Sequence, residues 1–358
     1  MTSTSDRLRT ALDDLLDGLP STRAATAVER LMAGYRDRGG AAAPVLGDRA
    51  DAVAYAAYRM PATFEAVSAA LRQLAARLPG WAPAGHLDVG GGTGAAAWAA
   101  AGVWPSADRR TLVLDRAGPA LALGRELAEG RLPGVEWRQE RVAADRGDLP
   151  AADLVTVSYV LGELPEAAQR AVVDAAAGAG SAVVLVEPGT PDGYLRIRAA
   201  RERLLAAGLR VLAPCPHGDA CPIAVGADWC HFAARVSRSA LHRRVKGGVL
   251  PYEDEKFAYV AAVGGALSAR ALAPAPARIV RRPLLRKGQV LLDLCAEEGV
   301  LRRETVSKRR GEDYRAARSS DWGAPWPPPD APVSPVSPDY PSGPSTGQDE
   351  RDTGVTAE

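Results

Sequence analysis

Hydrophobic positions near the N-terminus repeat with the period of an amphipathic helix. Leucines recur there at three- and four-residue spacing, at Leu8, Leu12, Leu15 and Leu19. A second helix is expected from Ala62 to Leu78, because Pro61 suits the first turn of a helix, where its missing N–H would be unpaired anyway. Residues 1–80 are therefore predicted to form an N-terminal helical region.

From His86 onward, short apolar stretches alternate with alanine-rich segments of helical length. Strands are predicted at 86–89, 111–114, 153–157 and 182–186. Helices are predicted at 94–103, 118–129, 165–178 and 192–207. This alternation indicates an α/β fold with a doubly wound, Rossmann-like parallel sheet that has helices on both faces. Residues 81–210 are predicted to be its core.

The remaining chain is divided by composition. Residues 211–256 are predicted to be a cysteine-bearing basic insertion. Residues 257–318 are predicted to complete the sheet and to carry a basic C-terminal segment, with sheet-like runs at 257–263, 289–295 and 300–306. Residues 319–358 are rich in proline, serine and acids. This tail is predicted to be disordered, because it cannot bury enough apolar surface to offset the loss of chain entropy.

The composition is that of a globular protein, with 47% hydrophobic and 24% charged residues in a chain of 358. The sequence contains no run of 18 or more apolar residues, and its first residues include acids rather than an apolar signal region. We therefore expect no membrane contact and a cytoplasmic location.

The formal net charge of +1 hides a strong asymmetry. Residues 235–318 contain 19 basic and 9 acidic side chains, a balance of +10, whereas the tail has a balance of −6. Two basic clusters stand out, Arg235, Arg238, Arg243, Arg244 and Lys246, and Arg302, Arg303, Lys308, Arg309 and Arg310. Such clusters are typical of RNA phosphate contact, although an ordinary solvated arginine-rich face has the same pattern.

A glycine-rich turn, Asp88–Gly94, joins the first predicted strand to the following helix. Its glycines, Gly90, Gly92 and Gly94, permit positive φ and the close approach of a ligand to the backbone. The pattern alone fits three interpretations: a dinucleotide site, a site for S-adenosylmethionine, or a turn without a ligand.

Two acids favour S-adenosylmethionine. Asp88 ends the strand beside the turn, where a carboxylate would repel a pyrophosphate but would attract the ammonium and sulfonium of S-adenosylmethionine. Asp115 ends the next predicted strand, where a carboxylate can accept hydrogen bonds from ribose hydroxyls.

The chain contains four cysteines, Cys215, Cys221, Cys230 and Cys295. In a reducing compartment a metal site is a better interpretation than a disulfide. Four thiolates suit either tetrahedral zinc or an iron–sulfur cluster. The short C-x2–4-C knuckles of zinc fingers are missing, and Cys215 and Cys221 are each followed by proline, as in one ferredoxin motif. Four small buried apolar side chains remain the alternative.

Several segments together resemble the methyltransferase-like proteins of mitochondrial small-ribosomal-subunit assembly and their bacterial relatives. The resemblance covers about residues 50–310. The matching stretches are Tyr58–Phe64, Asp88–Gly94, Ser158–Leu164, Val186–Gly193, the cysteine segment Pro214–Pro222, and Pro251–Phe257.

This resemblance implies a class I methyltransferase fold that binds S-adenosylmethionine, and a partner in the small ribosomal subunit and its rRNA. It also implies a [4Fe–4S] cluster on Cys215, Cys221, Cys230 and Cys295. Catalytic residues are not identified, because Ser158-Tyr159 stands where a base-amine methyltransferase has an Asn-Pro-Pro-Tyr-type motif. Three functions therefore stay open: an rRNA methyltransferase, a non-catalytic small-subunit assembly factor, and a small-molecule methyltransferase with a structural zinc site.

Overall fold

The computed structural model describes residues 3–17, 49–141, 149–238 and 250–328. Two helices come first, α1 at Thr4–Asp17 and α2 at Arg49–Ala75. The second helix begins earlier than predicted and contains Pro61. Its apolar residues Met60 and Phe64 lie on either side of that proline and are both buried. Burial of one continuous apolar face thus outweighs the backbone hydrogen bond that the proline cannot donate.

The main α/β unit contains eight strands. Its strands are β1 Gly85–Val89, β2 Arg110–Asp115, β3 Val135–Gln139, β4 Ala152–Ser158, β5 Gly180–Pro188, β6 Arg210–Ala213, β7 Phe232–Ser237 and β8 Tyr252–Val263. Its helices are α3 Ala95–Val103, α4 Gly118–Ala128, α5 Glu166–Ala179, α6 Pro191–Ala206 and α7 Gly265–Arg270.

The strands of this sheet lie in the order β3-β2-β1-β4-β5-β8-β6, with β7 also paired to β8. Strands β1 to β5 run parallel to their neighbours, and β8 runs antiparallel to β5. The strand order reverses beside β1, which lies between β2 and β4, and such a reversal opens a crevice at the carboxyl ends of the strands. This order, with its antiparallel strand, is the class I methyltransferase fold, so the predicted fold class is confirmed.

The segment predicted to be an insertion, 211–256, contributes instead to the main sheet. One half of β8 pairs with β6 and the other half with β7. In β7 the buried residues Phe232, Ala234 and Val236 alternate with more exposed ones. This two-residue period is visible in the sequence and could have predicted the strand.

A second, antiparallel sheet follows. It consists of β9 Ala277–Ile279, β10 Leu284–Arg286, β11 Gln289–Ala296, β12 Leu301–Ser307 and β13 Pro325–Trp326, with α8 Glu312–Ser319 against it. The predicted runs at 289–295 and 300–306 therefore do not complete the main sheet. Because β13 pairs with β9 and Trp326 is buried, the second sheet extends past residue 319, the predicted start of the tail. Residues 329–358 lie outside the described residues.

Two hydrophobic layers cover the main sheet. One face packs against α1, α2, α3 and α4, with Trp98 and Leu71 fully buried. The other packs against α5 and α6, around Leu161 and Leu204. No helix in the described ranges is both long enough and apolar enough to cross a membrane. The layers leave the carboxyl edge of the sheet open beside α2, and the crevice lies there.

Candidate functional site

The crevice at the carboxyl ends of β1, β2 and β4 has a volume of about 400 Å³. This is the size of a small-molecule pocket. The glycine-rich turn, Asp115 and Ser158–Val160 line the crevice, and Tyr55 and Met60 of α2 lie across from them. Four of the five residues predicted to bind the cofactor, Asp88, Gly90, Gly92 and Asp115, therefore line one cavity, and Gly94 does not line it.

The backbone of the turn requires glycine. Gly90, Gly92 and Gly94 have φ values of 68°, 54° and 81°. A Cβ on Gly90 would lie 2.4 Å from Val160, and one on Gly94 would lie 2.4 Å from Trp137. Any side chain at Gly90 or Gly94 would therefore clash with Val160 or Trp137. Helix α3 begins directly after the turn, and no side chain of the described residues caps its first N–H groups. The backbone of the turn and the N-terminus of α3 both line the crevice.

Asp88 is completely buried at the end of β1. Its Oδ1 accepts a hydrogen bond of 2.8 Å from Thr156 Oγ1, but its Oδ2 has no partner among the described residues. Burial raises the pKa of this carboxyl to about 7. A buried acceptor without a partner is costly, so the crevice offers an unused site for a hydrogen-bond donor or a cation.

Asp115 ends β2 and shapes the other side of the crevice. Its carboxylate accepts hydrogen bonds from the backbone N–H of Gly92, at 2.9 Å, and of Ala117, at 2.7 Å. Burial raises its pKa, although these hydrogen bonds oppose the shift. Both predicted acids thus line the same cavity. Asp88 has an oxygen without a hydrogen-bond donor in the described residues, whereas Asp115 is hydrogen-bonded to the turn.

An ion pair that the sequence did not predict connects three of the segments on which the resemblance rests. Arg59 of α2 contacts Glu255 of β8 at 3.0 Å, and the hydroxyl of Tyr159 donates to the same carboxylate at 2.9 Å. Tyr159 has a φ of 61°, a conformation rare for a non-glycine residue. The tyrosine hydroxyl at the end of β4 is therefore engaged in holding α2 to β8.

Two further side chains near β4 complete this region. Glu163 lines the crevice, and burial raises its pKa to about 7. Ser158 Oγ is buried without a partner among the described residues. Glu187, by contrast, accepts hydrogen bonds from Leu161 N and Arg196 Nε, away from the crevice lining.

The four cysteines line a second, much smaller cavity of about 40 Å³. Cys215 and Cys221 lie in the β6–β7 loop, and Cys230 lies just before β7. Cys295 comes from β11 of the second sheet, 3.5 Å from His217 Nε2. Within the described residues, no three Cys, His, Asp or Glu side chains are placed to hold one metal ion.

Two buried arginines also line this cavity. Arg201 donates to the carbonyls of His217 and Asp219, and its Nε lacks a partner. Arg278 donates to the Pro214 and Gly323 carbonyls and to Gln73. Neither guanidinium forms an ion pair with a carboxylate in the described parts of the chain. Buried cations normally have an anionic partner, so the cavity is electrostatically suited to negative charge.

Burial raises the pKa of three of the thiols. The pKa of Cys295 rises to about 12, that of Cys215 rises, and that of Cys230 rises well above its usual value. The other thiols add to the rise at Cys230, whereas Arg201 and Arg278 oppose it at Cys215. The thiols are therefore close enough to influence each other, and a positive group inside the cavity would favour their thiolate forms.

Most arginines of the predicted basic clusters are neutralised by acids. Arg235 pairs with Asp254, Arg238 with Glu253, and Arg303 with Asp293. Arg302 and Arg310 are also paired. Arg243, Arg244 and Lys246 lie outside the described residues. The charge balance of the segment therefore overstates its positive surface, because sequence alone does not reveal cross-strand ion pairs.

Two solved structures to which this chain is similar are named as methyltransferases. An O-methyltransferase family protein from Burkholderia thailandensis has 14% identity and a TM-score of 0.39, and covers 62% of this chain and 61% of its own. A putative RNA methyltransferase from Pyrococcus horikoshii has 12% identity and a TM-score of 0.36, and covers 56% and 80%.

Curated relatives are more similar in sequence. The human protein "Ribosome assembly protein METTL17, mitochondrial" is 31% identical over 289 residues, which are 75% of this chain and 61% of that protein. The Schizosaccharomyces pombe "Rsm22-cox11 tandem protein 2, mitochondrial" is 30% identical over 192 residues, 41% and 25% of the two chains. The chain thus spans only part of each relative. The predicted cytoplasmic location is wrong by this comparison, because these relatives are mitochondrial proteins.

A family model described as "Mitochondrial small ribosomal subunit Rsm22" matches residues 49–327. The match begins at the start of α2 and ends just after β13, so it contains both the crevice and the cysteine cavity. It covers more than half of the chain. The chain therefore belongs to the Rsm22 family.

Proposed function

We propose that this protein binds S-adenosylmethionine in the crevice, carries a [4Fe–4S] cluster in the cysteine cavity, and acts in assembly of the small ribosomal subunit in contact with its rRNA. The observation that carries the proposal is that a single family match includes two cavities with opposite chemistry. The human relative's name describes ribosome assembly, and the family description names the small ribosomal subunit.

In the crevice, each predicted residue has a separate task. Asp88 Oδ2 would accept from the ammonium of S-adenosylmethionine, which supplies the donor that this buried oxygen lacks. Asp115 would exchange a backbone hydrogen bond for the ribose hydroxyls. The glycines Gly90, Gly92 and Gly94 would let the methionine portion lie against the backbone.

S-Adenosylmethionine binding is tested by calorimetry on the purified full chain. We expect saturable binding at one site, and a matched titration with NADH should show none. Binding of the dinucleotide instead would contradict the assignment, because its pyrophosphate would have to lie beside Asp88.

Four thiols and two buried arginines without carboxylate partners in the described residues support a thiolate-bound inorganic group in the second cavity. Cys215, Cys221, Cys230 and Cys295 would hold it, and Arg201 and Arg278 would compensate its negative charge. When bound, a [4Fe–4S] cluster would supply a one-electron redox centre. Because its ligands come from the β6–β7 loop and from β11, the bound group would link the main sheet to the second sheet.

Anaerobic purification tests this part of the proposal. A brown protein that contains iron and acid-labile sulfide supports the cluster. A colourless protein loaded with zinc would contradict it and would favour the structural zinc alternative.

Methyl transfer is the second candidate function, and the intact crevice favours it. The end of β4 favours a binding role, because the Tyr159 hydroxyl is held by Glu255. Mapping rRNA modifications by mass spectrometry in a deletion strain separates the two. A missing methyl group would establish an rRNA methyltransferase, and unchanged rRNA would leave an assembly factor that uses S-adenosylmethionine as a bound support.

The ribosomal partner is tested by sedimentation. We expect the protein to migrate with immature small subunits on gradients at low salt. A protein that stays at the top of such gradients, with or without added S-adenosylmethionine, would contradict the proposed role in assembly.

A further inference from the structure

Most arginines of the two predicted basic clusters form ion pairs, so a cluster cation without one is a candidate for contact with a phosphate. Of the arginines predicted to contact RNA, all but one in the described residues are paired with acids. The exception is Arg309, which lies beside Lys308 in a short 3-10 turn after β12. No acid of the described residues forms an ion pair with either side chain.

The sheet places a second pair of cations next to this one. Arg286 ends β10 and pairs with Gln289, so Lys287 and Gly288 form a two-residue hairpin turn. Gln289 pairs in turn with Ser307 of β12, and Lys308 N donates to Gly288 O at 2.8 Å. Arg286, Lys287, Lys308 and Arg309 therefore lie together at one end of the second sheet. We call this group the basic tip.

All four side chains of the basic tip are exposed. The neighbouring Arg310 shows the contrast, because it pairs with Glu304 and Asp313. Four exposed cations without acids produce a concentrated positive potential, which draws phosphates and releases their counterions on contact. An ordinary solvated arginine-rich face has cations interspersed with acids, as the paired arginines of the predicted clusters are.

We propose that the basic tip is the surface through which this protein contacts RNA phosphates. The proposal rests on the proposed function and adds a location, at the far end of the β10–β11 hairpin rather than along the whole segment 235–318. The two-residue turn and the adjoining 3-10 turn present their cations to solvent, where phosphates can reach them. Contacts of this kind provide affinity and orientation rather than sequence specificity.

The test uses the full chain and small-subunit rRNA transcribed in vitro. The variant K287E/R309E reverses two charges of the basic tip. The control R110E/R270E changes the net charge equally, at exposed arginines of β2 and α7 that form no ion pair within the described residues. Thermal melting of both variants checks that folding is kept.

We expect K287E/R309E to bind the rRNA at least about tenfold more weakly at roughly 0.1 M salt, and the control to bind like the wild type. The slope of log affinity against log salt should decrease by about 1.4, since each lost single-strand contact contributes about 0.7. Similar weakening in both variants, or unchanged affinity in K287E/R309E, would overturn the location of the contact.

Two further outcomes are distinct. A wild-type chain that binds no rRNA at low salt would contradict the RNA part of the proposed function, and the basic tip with it. If K287E/R309E keeps its rRNA affinity but no longer migrates with small subunits, the basic tip contacts a protein, and the inference of phosphate contact is wrong.

Discussion

The crevice and the cysteine cavity differ in size, charge and construction. The crevice is about ten times larger, at about 400 Å³ against 40 Å³. Buried acids line the crevice and buried arginines line the cavity, so the first suits a cationic organic ligand and the second an anionic inorganic group. One chain thus contains two environments of opposite polarity.

The two sites also differ in how local their residues are in sequence. The crevice is built mainly from one turn and the strand ends beside it, whereas the cavity combines a loop of the main sheet with β11 of the second sheet. A substitution in the crevice should therefore affect one ligand, whereas a substitution in the cavity should also loosen the junction of the two sheets.

The largest expected effect is on metal content. The variant C230S/C295S removes one thiol from each sheet and should lose its iron and sulfide to background, because two remaining thiolates cannot complete the ligand set. Iron and sulfide analysis after anaerobic purification measures this. D88N serves as the matched control and should keep the full metal content. Loss of iron in D88N would show that the two sites depend on each other.

The next effect is on cofactor affinity. D88N should weaken binding of S-adenosylmethionine by about 10- to 100-fold, the equivalent of a charge-assisted hydrogen bond of about 1.5–3 kcal/mol. Calorimetry measures this, with C230S/C295S as the reciprocal control. An unchanged affinity in D88N would show that the ligand's ammonium lies elsewhere.

Affinity should also depend on pH. Burial raises the pKa of Asp88 to about 7, so its carboxyl is mostly protonated at pH 6 and mostly ionised at pH 8. S-Adenosylmethionine should therefore bind about tenfold more tightly at pH 8 than at pH 6. His86 does not titrate in this range, because burial lowers its pKa to about 3.

A second carboxyl of the crevice has a pKa raised into the same range. Glu163 also lines the crevice, and burial raises its pKa to about 7. The variants D88N and E163Q separate the two groups. We expect the affinity of D88N to be independent of pH and that of E163Q to rise with pH, whereas the reverse would assign the cationic contact to Glu163.

The smallest expected effect concerns the buried arginines. R278Q should shift the reduction equilibrium of the cluster towards the oxidised form by about three- to tenfold, or about 30–60 mV for one electron. Removal of a buried cation disfavours the more negative state. R278K should largely restore the potential, and a potential that does not change in R278Q would show that Arg278 is only structural.

The fold was predictable where local signals are strong. Strands β1, β2, β4 and β5 and the helices between them follow the apolar pattern, because each is buried on both faces or along one continuous side. The edge strand β3 was missed because only Trp137 in its middle is buried, which leaves no periodic signal. The second sheet was assigned to the first because apolar runs do not specify which strands they pair with.

The candidate sites show the same limit. The position of Asp88 and Asp115 at one crevice was predictable, because the ends of neighbouring parallel strands meet at one edge of a sheet. The contact of Arg59 with Glu255 joins residues far apart in sequence, and only the resemblance of their segments hinted at it. The pairing of the basic clusters with acids was equally invisible, since it depends on the register of β7 with β8 and of β11 with β12.

Native mass spectrometry of the anaerobically purified full chain, incubated with S-adenosylmethionine, detects both proposed ligands on one molecule. We expect a single chain whose mass includes both one S-adenosylmethionine and one [4Fe–4S] cluster. A chain that carries a zinc ion in place of the cluster, or that binds only one of the two groups, would rule out two separate sites of opposite polarity.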